Sequence, residues 1–192
     1  NDGDSLPVSA MPDDGTFESG TTQYEKRNVA VDIPVWDPKV CIQCGKCVFV
    51  FPHATIRAKV YDPALLEEAP KTFKSTDANW KNFAGLKYTV QVAPEDCIGC
   101  GLCAHNCPAK NKEDVTKKAL NMSLQMPLCA AEKENWEFFQ EIPDVDRNKL
   151  NTGMVKDVQL LHPLFEFSGA CGGCGETPYL KLLSSLFGDR AM

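Results

Sequence analysis

Hydrophobic positions along this chain come in short runs separated by long polar stretches. The first regular run is Val29-Ala30-Val31-Asp32-Ile33-Pro34-Val35, which reads as a strand, with Pro34 marking an edge or a strand end. Tyr88-Thr89-Val90-Gln91-Val92 alternates apolar and polar as a half-buried strand does. Two shorter apolar segments, Ala54-Thr55-Ile56-Arg57-Ala58 and Ala119-Leu120-Asn121-Met122, complete a set of small extended elements. Helical spacing is predicted over Leu128 to Ile142, where Trp136, Phe138 and Phe139 stand among charges; this is a connector clamped on a neighbouring surface. A last helix runs through Leu180, Leu182, Leu183, Leu186 and Phe187, with Thr177 as N-cap and Pro178 at its first position. Asn1 to Thr22 is rich in Asp, Gly, Pro, Ser and Thr, and reads as a linker or extended arm. Asp62 to Gly85 reads as an insertion containing one helical turn at Leu65-Leu66-Glu67-Glu68, a surface excursion or a docking loop. Asp144 to Thr152 is a polar loop, and Val155 to Leu164 leads into the last element.

Cysteines are placed against these elements in a fixed register. Cys97-Ile-Gly-Cys100-Gly-Leu-Cys103-Ala-His-Asn-Cys107-Pro108 has the C-x2-C-x2-C-x3-C-P spacing by which bacterial-type ferredoxins bind iron–sulfur cubes. Three thiolates two residues apart wrap a tight turn around one cube, and the fourth, drawn away before a proline, reaches another. A structural zinc site, which takes its cysteines as two separated pairs, is the competing reading. Cys41-Ile-Gln-Cys44-Gly-Lys-Cys47-Val-Phe-Val-Phe51-Pro52 repeats the motif 56 residues earlier, aligning Pro38 with Pro94, Gly45 with Gly101 and Pro52 with Pro108. The repeat fails at one place, where Phe51 stands for a cysteine. The pattern predicts an α+β fold: a two-cluster, bacterial ferredoxin-like domain with a pseudo-twofold repeat of small antiparallel strands and short helices. An extended N-terminal arm precedes it and a C-terminal helical segment follows. Segment boundaries fall at 1–27 for the arm, 28–127 for the two-cluster domain with its insertion at about 62–85, 128–165 for a connector, and 166–192 for the start of a further domain. Ser168-Gly-Ala-Cys171-Gly-Gly-Cys174-Gly175-Glu176-Thr177 opens that last part; its C-x2-C is by itself compatible with a redox dithiol, half a zinc site or half a cluster site. Cys129 stands alone and reads as a buried small hydrophobe.

Charge and composition narrow the partners. The chain has 192 residues, 43% of them hydrophobic, and a formal net charge of −6. Up to Lys39 there are eight acidic and three basic residues, so the acidity sits in the lead segment, and the even balance elsewhere argues against nucleic-acid binding. No run of about 18 apolar residues is available to span a bilayer. Ten cysteines, nine of them in ligand spacing, point to a reducing cytoplasm rather than a secreted disulfide scaffold. Lys110, Lys112, Lys117 and Lys118 are either a patch for an acidic redox partner or a solvated face. The sequence opens without Met and ends at Met192 with no closing element, which reads as a piece cut from a longer protein.

The linking stretches make the assignment more specific. Leu6-Pro-Val-Ser, Gly20-Thr-Thr-Gln, Glu25-Lys-Arg-Asn, Ile33-Pro-Val-Trp-Asp-Pro, Pro52-His-Ala, Ala119-Leu-Asn-Met, Glu134-Asn-Trp-Glu-Phe-Phe and Ser168 to Tyr179, taken with both cysteine motifs, resemble the pyruvate:ferredoxin (flavodoxin) oxidoreductases, or pyruvate synthases. The resemblance implies an internal slice of an enzyme that cleaves a 2-oxoacid with coenzyme A on thiamine diphosphate and magnesium. Electrons would leave through three 4Fe-4S clusters to an external ferredoxin or flavodoxin. It implies Cys41, Cys44, Cys47 and Cys107 on one cube, Cys97, Cys100 and Cys103 on the next, and Cys171 and Cys174 as two ligands of a third. Gly175, Glu176 and Thr177 would lie near thiamine diphosphate, no residue of the carbon chemistry would be present, and the full enzyme would be a homodimer. In the family pattern a cysteine stands at Phe51, so the second cube lacks its fourth thiolate and a 3Fe-4S form is expected there. The competing function is a stand-alone dicluster electron carrier or docking module.

Overall fold

A computed structural model of the chain describes residues 2–16 and 18–191. In chain order its elements are β1 (Asp32–Trp36), α1 (Lys46–Val50), β2 (Ile56–Tyr61), β3 (Thr76–Asp77), β4 (Lys87–Val92), α2 (Leu102–His105), β5 (Leu120–Leu124), α3 (Cys129–Glu141), α4 (Val155–Val158) and α5 (Thr177–Phe187). Short 3-10 turns punctuate them, one at Pro63–Glu68 opened by the Asp62 carboxylate, which accepts from the Ala64 amide. The result is a mixed fold of small antiparallel sheets and short helices. β1 pairs with β5, and β2 with β4, to which β3 adds a short third strand. Each strand that leads into a cysteine loop therefore pairs with the strand that leaves the other loop, which sets the two loops side by side with α1 against α2.

The first strand begins three residues later than the pattern predicts. Val29 and Val31 are exposed, and the pairing starts at Asp32 opposite Leu124. β2 runs three residues beyond its predicted end, to Tyr61, because its register with β4 continues to Tyr61 opposite Lys87. Residues 3–16 and 18–20 of the arm are exposed, and Asp2–Ser5 and Val8–Ala10 form brief 3-10 turns. The arm is fastened at Thr22, whose hydroxyl donates to the Glu166 carbonyl, and through Lys26 with Asp96 at 2.6 Å and the Asn28 amide to the Glu95 carbonyl.

Segment 62–85 is not simply a surface excursion. Its latter half supplies β3, and Trp80 and Phe83 enter the main core with Ile33, Trp36, Val48, Phe51, Ile56, Tyr88, Val90 and Val92. Trp80 is fixed from the far side of the molecule: its indole N–H donates to Asp157 at 2.9 Å and the Lys156 ammonium lies 4.8 Å over its ring. Cys97 and Cys103 are buried in this core, and Cys41, Cys47, Cys100 and Cys107 pack against it. The neighbouring surface gripped by α3 is the sheet of the same chain. Trp136 and Phe139 form one apolar group with Ala93 and Phe167, and Phe138 a second with Tyr61 and Ile142.

β2 is buried along its whole length, although its polar side is Arg57 and Lys59. The Arg57 guanidinium lies 5.3 Å from the rings of both Trp136 and Phe167, and donates to the Glu166 carboxylate; the side chains of this pair are 9% and 16% exposed. Lys59 lies over Phe139 and is paired with Asp144 at 3.1 Å. Removing one member of a buried pair strands the other charge, a loss of about 3–5 kcal/mol. Arg57→Ala should therefore lower the thermal midpoint by many degrees, while the Arg57→Lys variant, which keeps the charge, should lower it less; equal midpoints for Arg57→Ala and the unaltered chain would refute this account.

Candidate metal centre

Both cysteine loops turn on residues in left-handed backbone. In the first, Gln43 has φ of 56° and Gly45 of 71°; in the second, Gly99 has 69° and Gly101 has 73°. Side chains other than glycine seldom adopt this region. Gln43 is held there because its side chain is clamped, donating to the Asp77 carbonyl at 2.7 Å and accepting from the Asn79 amide at 2.7 Å. Gly45 and Gly101 each open the helix that follows, α1 and α2, and so bring Cys47 and Cys103 around onto the core. A Cβ at Gly45 would meet the Lys156 backbone at 3.3 Å, so close packing on α4 also favours glycine there.

Cys41, Cys44, Cys47 and Cys107 line one apolar cavity together with Trp36, Tyr88, Pro108, Ala109 and Leu120. Burial pushes the Cys41 thiol up, opposed by the nearby Trp36 indole and by the Gln43 amide, which donates to the sulfur at 3.3 Å. The Trp36 N–H is otherwise buried with no partner. A donor of this kind, aimed at a set of four thiols in apolar surroundings, fits a group rich in sulfur acceptors. Burial and the repulsion of Cys41 and Cys103 push the Cys47 thiol strongly up. Among the described residues, no three His, Cys, Asp or Glu side chains converge as ligands of a single ion. A cube is held at four separate iron corners, so its thiolates need not meet at one point.

The second set is incomplete in the same terms. Burial, with a smaller contribution from a neighbouring thiolate of the trio, pushes the Cys97 thiol up to about 11 and that of Cys103 up to about 12. α1, which carries Cys47, packs against α2, which carries Cys103, so the two sets are neighbours. Phe51, 1% exposed, belongs to the same core as Cys97 and Cys103 and meets the His53 ring edge-on at 6.1 Å. His53 Nδ1 is 2.9 Å from the Ser168 carbonyl, whereas its Nε2 is buried without a partner. Three thiols fit three corners of a cube; the fourth has no thiol at Phe51.

Cys171 and Cys174 form a turn closed by the Cys174 amide on the Cys171 carbonyl at 3.1 Å. This turn rests on the second loop: a Cβ at Gly172 would lie 3.4 Å from Ile98 Cδ1 and 3.7 Å from Cys100 Cβ. The amides of Thr177 and Glu176, at the start of α5, lower the Cys174 thiol. Thr177 is the first helical residue rather than the cap, which is Glu176, and its hydroxyl is buried without a hydrogen-bond partner. Proline is tolerated in either of the first two helical positions, so the sequence left the register one residue loose. Gly175 and Glu176 are exposed. Three residues at one helix start do not enclose a cofactor as large as thiamine diphosphate.

Cys129 is the half-buried first residue of α3, with its sulfur 3.5 Å from the Gln125 amide nitrogen, so it is less buried than a core hydrophobe. Two of the four lysines of the proposed basic patch are engaged. Lys118 donates to the Ala104 and His105 carbonyls at the end of α2, both at 2.9 Å, and Lys117 lies 3.6 Å from Asp114. Gln43, Trp36 and Lys181 escaped sequence reasoning. The signal for Gln43 was its alignment with Gly99; the signal for Lys181 was a single cation within Leu180-Lys181-Leu182-Leu183.

Comparison with known proteins agrees with this geometry. Residues 40–111 match the 4Fe-4S dicluster domain, and residues 1–30 match a domain of unknown function. The chain is 60% identical over 190 residues to the pyruvate-flavodoxin oxidoreductase of Nostoc sp., covering 99% of this chain and 16% of that protein. Along almost its whole length the chain is similar to this stretch of these oxidoreductases. The pyruvate:ferredoxin oxidoreductase of Moorella thermoacetica is 52% identical over 188 residues, 98% of this chain and 16% of the relative. The mitochondrial pyruvate dehydrogenase [NADP(+)] of Euglena gracilis is 44% identical over 194 residues, 99% of this chain and 10% of the relative. The chain thus spans about 16% of the length of the oxidoreductases from Nostoc sp. and Moorella thermoacetica. No helix among the described residues is long and apolar enough to cross a membrane.

Proposed function

We propose that this chain is the electron-relay segment of a 2-oxoacid:ferredoxin or flavodoxin oxidoreductase acting on pyruvate. The observation that carries the reading is the contiguity of three cysteine sets. The Cys171–Cys174 turn rests on Cys100, α2 with Cys103 of the same trio packs against α1 with Cys47, and Cys47 shares a cavity with Cys41, Cys44 and Cys107. Iron–sulfur clusters, when bound, would supply one-electron oxidation and reduction at each set. The cysteines would hold them, while Trp36, Tyr88 and Leu120 exclude water from the first and the Trp36 indole donates toward its sulfurs. The third turn, set on the second loop, favours a relay over a stand-alone two-cluster carrier. Matching offsets of β1 with β4 and of α1 with α2 support a pseudo-twofold arrangement of the two loops.

In the whole enzyme, Gly175, Glu176 and Thr177 would border the thiamine diphosphate and magnesium site, and the remaining contacts would come from residues other than these. All ten cysteines are free, which suits a reducing cytoplasm. A homodimer of the whole enzyme, and ferredoxin or flavodoxin as acceptor, belong to the same proposal. The full 192-residue chain, loaded anaerobically with iron and sulfide, should turn brown, bleach with dithionite and pass electrons to flavodoxin. It should make no acetyl-CoA from pyruvate even with thiamine diphosphate, magnesium and coenzyme A. A colourless chain that takes up zinc in place of iron would overturn the cluster reading, and pyruvate turnover by this chain alone would overturn the relay reading.

A further inference from the structure

α5 carries one cation into the interior. Lys181 is 4% exposed, and its ammonium donates to the carbonyl of Val48 and, at 3.4 Å, to that of Phe49. These carbonyls belong to the last turn of α1, the helix that carries Cys47, and have no partner further along so short a helix. Among the described residues no carboxylate pairs with Lys181, unlike the other two buried cations, Arg57 with Glu166 and Lys59 with Asp144. Arg57, which lines the same cavity as Lys181, adds repulsion rather than relief. Burial and that repulsion push the Lys181 ammonium down to about 7, and a thiolate at Cys47 opposes them. A buried ammonium without an anion is strongly unfavourable, because burial removes the water that stabilises its charge. Placed on the Val48 and Phe49 carbonyls, directly after Cys47, the Lys181 amine is positioned to balance a negative charge held at Cys47.

We propose that Lys181 is the counter-charge of the cluster held by Cys41, Cys44, Cys47 and Cys107, and that its ammonium raises the reduction potential of that cluster selectively. The proposal rests on the cluster reading above. A cube bound by four thiolates is anionic and gains one further negative charge when it accepts an electron, with no bond made or broken. A fixed positive charge nearby, in apolar surroundings that screen it little, favours the reduced form. Lys181 is thus a positioning residue for charge, contributed by the same helix whose first amides face Cys174. α5 in this way bears on the first and third cysteine sets at once.

The test uses the full chain loaded with iron and sulfide, titrated potentiometrically under EPR observation, in three forms: unaltered, Lys181→Gln and Lys181→Arg. Iron and sulfide content is measured first, so that failure of the cluster reading, seen as no cluster in the unaltered chain, is distinct from failure of this proposal. With clusters present, the Gln form should show a lower midpoint potential at the Cys41–Cys44–Cys47–Cys107 site and little change at the Cys97–Cys100–Cys103 site, and the Arg form should keep the potential. A Gln form that loses only the first cluster while the Arg form retains it also supports the counter-charge role. An unmoved potential in the Gln form, equal shifts in the Gln and Arg forms, or loss of the cluster in both, would overturn it, because each assigns Lys181 to packing rather than charge.

Discussion

Anaerobic removal of iron from the loaded chain should unfold both cysteine loops and the β1–β5 ribbon while β2, β4 and α3 stay paired. α1 and α2 have five and four residues, far below the length at which a helix holds by itself in water. A two-stranded ribbon such as β1–β5 is marginal alone. What fixes these parts is the cysteine region of the main core, where six thiols are buried or packed against aromatic side chains. Thiolate ligation contributes on the order of 10 kcal/mol in small metal-folded domains, as much as the entire stability of an ordinary domain, about 5–15 kcal/mol. The sheet shares the main core on one side, but α3 adds separate apolar groups around Phe139 and Phe138, joined by Ala93 and Tyr61 at the strand ends, that contain no cysteine. Release should be easier in acid. Burial holds the Cys97 and Cys103 thiols up near 11 and 12, so iron must displace their protons to bind, and lowering pH favours the proton. Hydrogen exchange of the iron-free chain should show rapid exchange at residues 28–50 and 94–126 with protection kept in β2, β4 and α3. Uniform protection, with one cooperative melt as in the loaded chain, would show that the fold does not depend on iron.

The parts of the fold legible from sequence were those decided locally. Ligand spacing is a local property, so the two loops and their offset of 56 residues could be read directly. The alternation of Tyr88 to Val92 likewise gave β4 nearly to its ends. Long-range contacts decided the rest. Arg57 and Lys59 alternate with Ala58 and Val60 as if one side of β2 faced water, yet α3 and the Glu166–Phe167 segment cover that side and match its charges. Trp80 and Phe83 lie in a stretch without periodicity, and Trp80 is fixed by Asp157, 77 residues away. Lys181 was invisible for the same reason: its carbonyl partners are 133 and 132 residues distant. Among the site residues, the cysteines could be read because chemistry constrains their type. Trp36 and Gln43 could not, because many side chains satisfy a strand end or a loop position until its neighbours are known.

Replacing Phe51 by cysteine should have opposite effects on the metal-free and the loaded chain. Phe51 is 1% exposed in the main core, and removing most of so large a buried ring costs about 3–5 kcal/mol. In the metal-free chain nothing offsets that loss, and the variant should melt well below the parent. In the loaded chain the new thiol stands at the position that corresponds, 56 residues earlier, to Cys107, which lines the first cavity. It would therefore supply the fourth ligand that the set of Cys97, Cys100 and Cys103 lacks, and ligation on the order of 10 kcal/mol exceeds the packing loss. The unaltered chain should hold one four-iron cluster and, at the second set, a three-iron cluster or low iron. The neighbouring ring of His53, edge-on to Phe51, has its Nδ1 engaged with Ser168 and its Nε2 buried without a partner. Anaerobic EPR of the oxidised chain should accordingly show a three-iron signal, or iron deficiency, that disappears in Phe51→Cys, where reduction should reveal two four-iron clusters. The thermal midpoints should cross, with the variant below the parent without iron and above it with iron. Two intact four-iron clusters in the Phe51 chain, or a Phe51→Cys chain that remains less stable when fully loaded, would refute this assignment of ligands.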